Sequence, residues 1–166
     1  MVVLKKQIYS CYNNYCYRKL TIMPDTFVNN PTFYKLDATL KRIRNYWQKT
    51  FDANKKDITV DQWLLIENLY KHNKITHNEL AKLTSKDITT VSRIIELLVK
   101  KELVVREGSP LDRRKVYLQL TPKGAEKYKD VRPLVLEMRK TGWVGLNEGD
   151  YQELTRILDV IYNNVP

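Results

Sequence analysis

Four side chains near the centre of the chain have the chemistry to read duplex DNA: Thr89, Thr90, Ser92 and Arg93. Each hydroxyl donates and accepts hydrogen bonds, and the arginine fork spans the two acceptors of a guanine edge or grips a phosphate. A second cluster, Asp112, Arg113 and Arg114, follows the pattern-breaking Gly108, Ser109 and Pro110. Two planar, always-charged donors at a turn suit a narrow minor groove. Asp112 is odd against a phosphate surface. Its expected role is to hold an arginine in one rotamer through a charge-assisted bond, so that less side-chain entropy is lost on binding.

Other chemistries find less support. His72 and His77 flank an expected helix break with no cysteine near them, so a metal site would need distant carboxylates. The five glycines fall mostly in turns and form no phosphate-cradling loop. The sequence points away from an enzyme and calls for no metal and no cofactor. Cys11 and Cys16 are the only two cysteines. They make no disulfide framework and fit a reducing cytoplasm.

Both polar clusters need elements to present them. Residues 86–101 read as an amphipathic helix, with Ile88, Val91, Ile95 and Leu98 toward the core, Ile94 beside them and the four polar residues opposite. The partial positive charge of its N-terminus favours phosphate. Before it, Thr76 and Glu79 match a capping box for a short helix over about 77–83, which Thr84 and Ser85 end. After it, Leu103 and Val105 alternate with polar residues on one strand, and Val116, Leu118 and Leu120 do so on a second. A helix pair followed by a basic hairpin is a winged helix, and gripping duplex DNA is its usual task.

The flanking segments are helical too. Thr59 caps a helix running through Asp61 to about Lys71, and Val60, Trp63, Leu64, Leu65, Ile66 and Leu69 surround most of its circumference, which predicts burial. Thr121 caps another, with Pro122 at its first position, which runs toward Lys140 and which Pro133 should bend or break. Asn30 and Pro31 open a first helix, where Phe33, Leu36, Leu40, Ile43 and Trp47 recur at three- and four-residue steps. Asn147 is placed to cap a last one, with Tyr151, Leu154, Leu158, Ile161 and Val165 in a similar stripe widened by Ile157. Such narrow seams pack helix on helix, within one chain or between two subunits. The expected fold is mainly α with a small β-hairpin: a winged helix-turn-helix domain plus a helical dimerisation lobe formed by the N- and C-terminal helices.

Composition agrees with a globular protein. The chain has 166 residues, 43% hydrophobic and 29% charged, enough for one domain with a real core. No run approaches the roughly 18 apolar residues of a membrane span, so no membrane partner is expected. The net charge of +10 favours a polyanionic partner. Residues 1–22 stand apart, with Tyr9, Tyr12, Tyr15 and Tyr17, both cysteines and no acid. Met23 directly after them is suited to start translation, which would leave residues 1–22 as an extension of no structural role.

The run Asp112, Arg113, Arg114, followed by Leu120, Thr121, Pro122, Lys123 and Gly124, resembles the wing of the MarR family of bacterial regulators. Glu79, Leu80 and Ala81, then Thr89 to Arg93, then Leu97 and Val99 to Val104, look like the same family, and the resemblance covers about residues 33–164. It implies a homodimeric, sequence-specific transcriptional regulator, a repressor relieved by a small ligand, on a pseudo-palindromic double-stranded DNA operator. Residues 59–124 would be the DNA-binding domain. The dimer lobe would come from residues 23–58 and 125–166, with Phe33, Leu36, Leu40, Leu154, Leu158 and Ile161 in its interface. Thr89, Thr90, Ser92 and Arg93 would read the major groove, and Arg114, beside Arg113 and oriented by Asp112, would enter the minor groove. The family's small aromatic or phenolic ligands make Tyr46, Trp47 and Trp63 candidates to line a cleft, against the alternative that they fill an aromatic core. Some members sense oxidants through a cysteine, which keeps a redox-responsive regulator using Cys11 and Cys16 as the alternative function.

Overall fold

The computed structural model describes residues 31–108 and 115–165. The chain divides into two units, Met1–Thr39 and Leu40–Pro166. The described part of the first is the opening of helix α1 (Thr32–Ala53), whose later turns belong to the second. There follow α2 (Val60–His72), β1 (Ile75–Thr76), α3 (His77–Thr84), α4 (Ile88–Lys100), β2 (Val104–Gly108), β3 (Val116–Leu120), α5 (Pro122–Gly142) and α6 (Glu148–Asn164).

Side-chain caps start five of these helices, each satisfying backbone N–H groups that the first turn leaves without partners. Thr59 with Gln62, Thr76 with Glu79 and Asn147 with Asp150 form reciprocal capping boxes. Thr121 accepts from the Gly124 N–H with Pro122 at the first position. The fifth cap corrects the expected start at Lys86: Asp87 accepts from the Thr90 N–H, so α4 begins at Ile88. Ile88 thereby sits in the first turn and is 52% exposed, not in the core as its spacing suggested.

The three strands form an antiparallel sheet in the order β1–β3–β2, with Ile75 opposite Leu118, Val104 opposite Leu120 and Arg106 opposite Leu118. The expected face of β2 was off by one residue. Val104 is buried, whereas Val105 is exposed. Leu103 is no strand residue but the end of the turn that closes α4: its N–H donates to the Leu98 carbonyl at 2.9 Å, and the Glu102 N–H donates to Val99 at 2.9 Å. Glu102 adopts the left-handed φ of 61° that such a turn demands, a position usually given to glycine. The Leu103 carbonyl in turn accepts from the Thr121 N–H at 3.1 Å. A Cβ on Gly124 would lie 2.0 Å from that same oxygen, so only glycine lets α5 approach the end of α4 this closely.

The core joins Phe51 of α1, Trp63, Leu65, Ile66 and Leu69 of α2, Leu80 of α3, Val91, Ile95 and Leu98 of α4, Leu118 of β3, and Val131 and Val135 of α5. Each such side chain contributes about 1.5–3 kcal/mol on burial. Tyr128 of α5 stacks between Trp63, at 5.4 Å, and Tyr70, at 3.8 Å. Helix α5 runs through Pro133 without interruption, against the expected break. Pro133 lies on the exposed face, where water can take the place of the hydrogen bond it cannot donate. Helix α6 buries none of its residues.

Candidate nucleic-acid interface

The four expected reading residues share one end of α4, but not one environment. Thr89 and Arg93 are exposed, while Thr90 and Ser92 are half-buried. Hydrogen bonds from the Thr90 side chain and backbone hold the Asp87 carboxyl below its ordinary range, so this hydroxyl is partly engaged in capping. Arg93 makes no ion pair among the described residues and is open to a phosphate or base edge.

Three charges fix the approach to this helix. One oxygen of Asp61, in the first turn of α2, accepts from Arg44 Nη2 of α1 at 2.7 Å and lies 2.7 Å from Lys86 Nζ, just before α4. Burial alone would push the Asp61 carboxyl up. The hydrogen bonds from Lys86 and Arg44 outweigh it and hold the group below its ordinary value. Sequence spacing gave no sign of this cluster, because its members come from three separate elements.

The hairpin and the N-terminus of α3 enclose an open cleft of about 620 Å³, lined among others by His77, Glu79, Arg106, Lys115 and Tyr117. Burial and the nearby Arg106 push the His77 imidazole below its ordinary range. Lys74 meets the hairpin near its tip-side end, 2.8 Å from Glu107 and 5.2 Å from the centre of the Tyr117 ring. The expected tip residues Asp112, Arg113 and Arg114 lie outside the described residues, as do Cys11, Cys16 and the whole of residues 1–22.

The three aromatic candidates separate. Trp63 is fully buried and stacked on Tyr128, which corrects its role as an accessible cleft residue; its indole N–H has no hydrogen-bond partner among the described residues. Tyr46 is exposed, and Trp47 is half-buried. The Arg139 guanidinium stands 5.9 Å from the centre of the Trp47 ring while donating to both oxygens of the buried Glu67, at 3.1 and 2.8 Å. Phe33, Leu36 and Leu40 on α1 and Leu154 and Leu158 on α6 are all exposed, and Ile161 is half-buried. Among the described residues no helix is long and apolar enough to cross a membrane.

Comparison with known proteins gives this geometry a context. The sequence profile described as the MarR family matches residues 56–115, which contain α2, α3, α4 and β2. The HTH-type transcriptional regulator YhbI of Bacillus subtilis (strain 168) is 32% identical over 125 residues, covering 74% of this chain and 76% of that protein. The HTH-type transcriptional repressor IacR of Pseudomonas putida is 23% identical over 111 residues, 67% of this chain and 66% of its own. Among solved structures, a mutant MarR from E. coli complexed with operator DNA superposes with a TM-score of 0.74 at 22% identity, covering 85% of this chain and 98% of that one.

Proposed function

Because this chain belongs to the MarR family of winged helix-turn-helix transcriptional regulators, we propose that it binds a pseudo-palindromic operator as a homodimer and represses transcription until a small aromatic or phenolic ligand releases it. The observation that carries this reading is α4, whose Val91, Ile94, Ile95 and Leu98 are spent on the core while Thr89 and Arg93, which has no ion pair among the described residues, are exposed at its N-terminal half. In this reading Thr89, Thr90, Ser92 and Arg93 enter the major groove, and Arg114, with Asp112 and Arg113, enters the minor groove.

The second support is the uncovered apolar surface. Helix α6 has 17 residues and buries none, whereas helices in proteins draw most of their stability from packing an apolar face. Apolar stripes of this extent are seldom left open. A second copy of the chain, packed on Phe33, Leu36 and Leu40 and on Leu154, Leu158 and Ile161, would cover them. Two copies of α4 would then lie about 34 Å apart, one turn of the duplex. Residues 59–124 serve as the DNA-binding domain in this reading, and residues 23–58 and 125–166 as the dimer lobe. Tyr46 and Trp47 remain the aromatic surface for a ligand.

The test pairs light scattering with salt-dependent binding. The protein is expected to be a dimer at micromolar concentration. Its affinity for a selected duplex should fall with salt at a log–log slope of about −0.9 for each phosphate neutralised. Small phenolic acids should lower that affinity. A monomer, or binding indifferent to salt, overturns the proposal.

A further inference from the structure

We infer that Ile88 is a base-reading residue that selects thymine in each half of the operator, by packing on the C5-methyl group. The inference rests on the sequence-specific reading above and deepens it. The residue is the first of α4, directly after the Asp87 cap, and it is 52% exposed. The core side of the helix is already filled by Val91, Ile94, Ile95 and Leu98. Exposed Thr89 follows it, and half-buried Ser92 stands one turn on, along the same edge of the helix. Lys86, the long side chain just before the cap, is drawn instead to Asp61 at 2.7 Å.

The chemistry then narrows the partner. An isoleucine side chain has neither donor nor acceptor, so it gains nothing from phosphate or from the polar edges of guanine, adenine or cytosine. The thymine methyl is the apolar group that a base presents in the major groove. The N-terminal residues of a recognition helix are those that reach base edges. Water leaves both methyl-bearing surfaces when they meet, worth about 0.8 kcal/mol for a group of that size, or about fourfold in affinity per half-site.

The test removes the methyl from the DNA and its partner from the protein. A duplex is first selected from a random library by the wild-type chain. Each thymine of the selected sequence is then replaced by deoxyuridine, which lacks only the methyl, and binding is read by fluorescence anisotropy. At one position in each half-site the replacement should weaken wild-type binding about fourfold. Ile88→Ala, which removes the side chain from both half-sites of the dimer, should bind the thymine duplex about fifteenfold more weakly and be indifferent to deoxyuridine at that position. Ile88→Val, which keeps a branched methyl, should retain the thymine preference. If every deoxyuridine replacement has the same effect on wild type and Ile88→Ala, the inference is wrong while sequence-specific binding stands. If no sequence is selected at all, both fail together.

Discussion

Single residues hold this fold where elements must come unusually close. Gly124 is the sharpest case, because any side chain there would collide with the Leu103 carbonyl, a backbone atom that cannot swing aside. Gly124→Ala is therefore expected to cost about 1–3 kcal/mol, read as a lower urea midpoint, since overpacking forces the backbone to shift. An unchanged midpoint would mean that α5 and the end of α4 do not meet this way. Asp61 is a second case and gives a pH signature. Its carboxyl is held below its ordinary value of 3.8, so its contribution is present above the unfolded-state value and is lost as pH falls through the lower folded-state value. At pH 7 Asp61→Asn should be less stable by about 0.5–1 kcal/mol, a figure kept small by solvent screening of a half-exposed cluster. That difference should shrink progressively as pH falls below 3.8, and a gap that stays constant there would assign the effect to packing.

Elements were legible from sequence where the signal is local. Thr59, Thr76, Thr121 and Asn147 could be named as caps because a cap needs only its own next three residues. The errors arise where a cap or turn residue without a strong sequence signal, or burial set by distant elements, overrides spacing. Ile88 keeps the core period of α4 but turns outward, since Asp87 makes it the first helical residue. Leu103 reads as a strand residue, yet a left-handed Glu102, with no glycine to announce it, makes it the end of a helical turn. Trp63 has the chemistry of a cleft residue and the burial of a core one. In α5, Pro133 removes one hydrogen bond without ending the helix. Pro133→Ala restores that bond and should raise stability by about 1–3 kcal/mol, the interior helix preference reduced by the greater freedom of the unfolded chain. A destabilised variant would show that the local geometry set by proline is needed for packing.

At the scale of the whole molecule, α6 buries none of its residues and leaves its apolar stripe exposed. Leu158→Asp places a charge on the α6 stripe and should convert the protein to monomer by light scattering, with weakened operator binding. A dimer that melts normally would put that stripe in water. One small feature bears on how the molecule moves. Strand β1 is two residues long, yet its pairing with β3 joins the chain just before α3 to the hairpin beyond α4. Two ladder rungs thus tie the chain before α3 to Leu118 and Tyr117, the middle and tip-side half of β3, whose Leu118 is itself fully buried. The amide of Ile75 should exchange with deuterium faster than those of Val91 to Leu98, whereas that of Thr76, which donates to Glu79 Oε2, reports the helix cap. The short strand pairing is then expected to open by itself, and the helix only together with the core that its side chains fill.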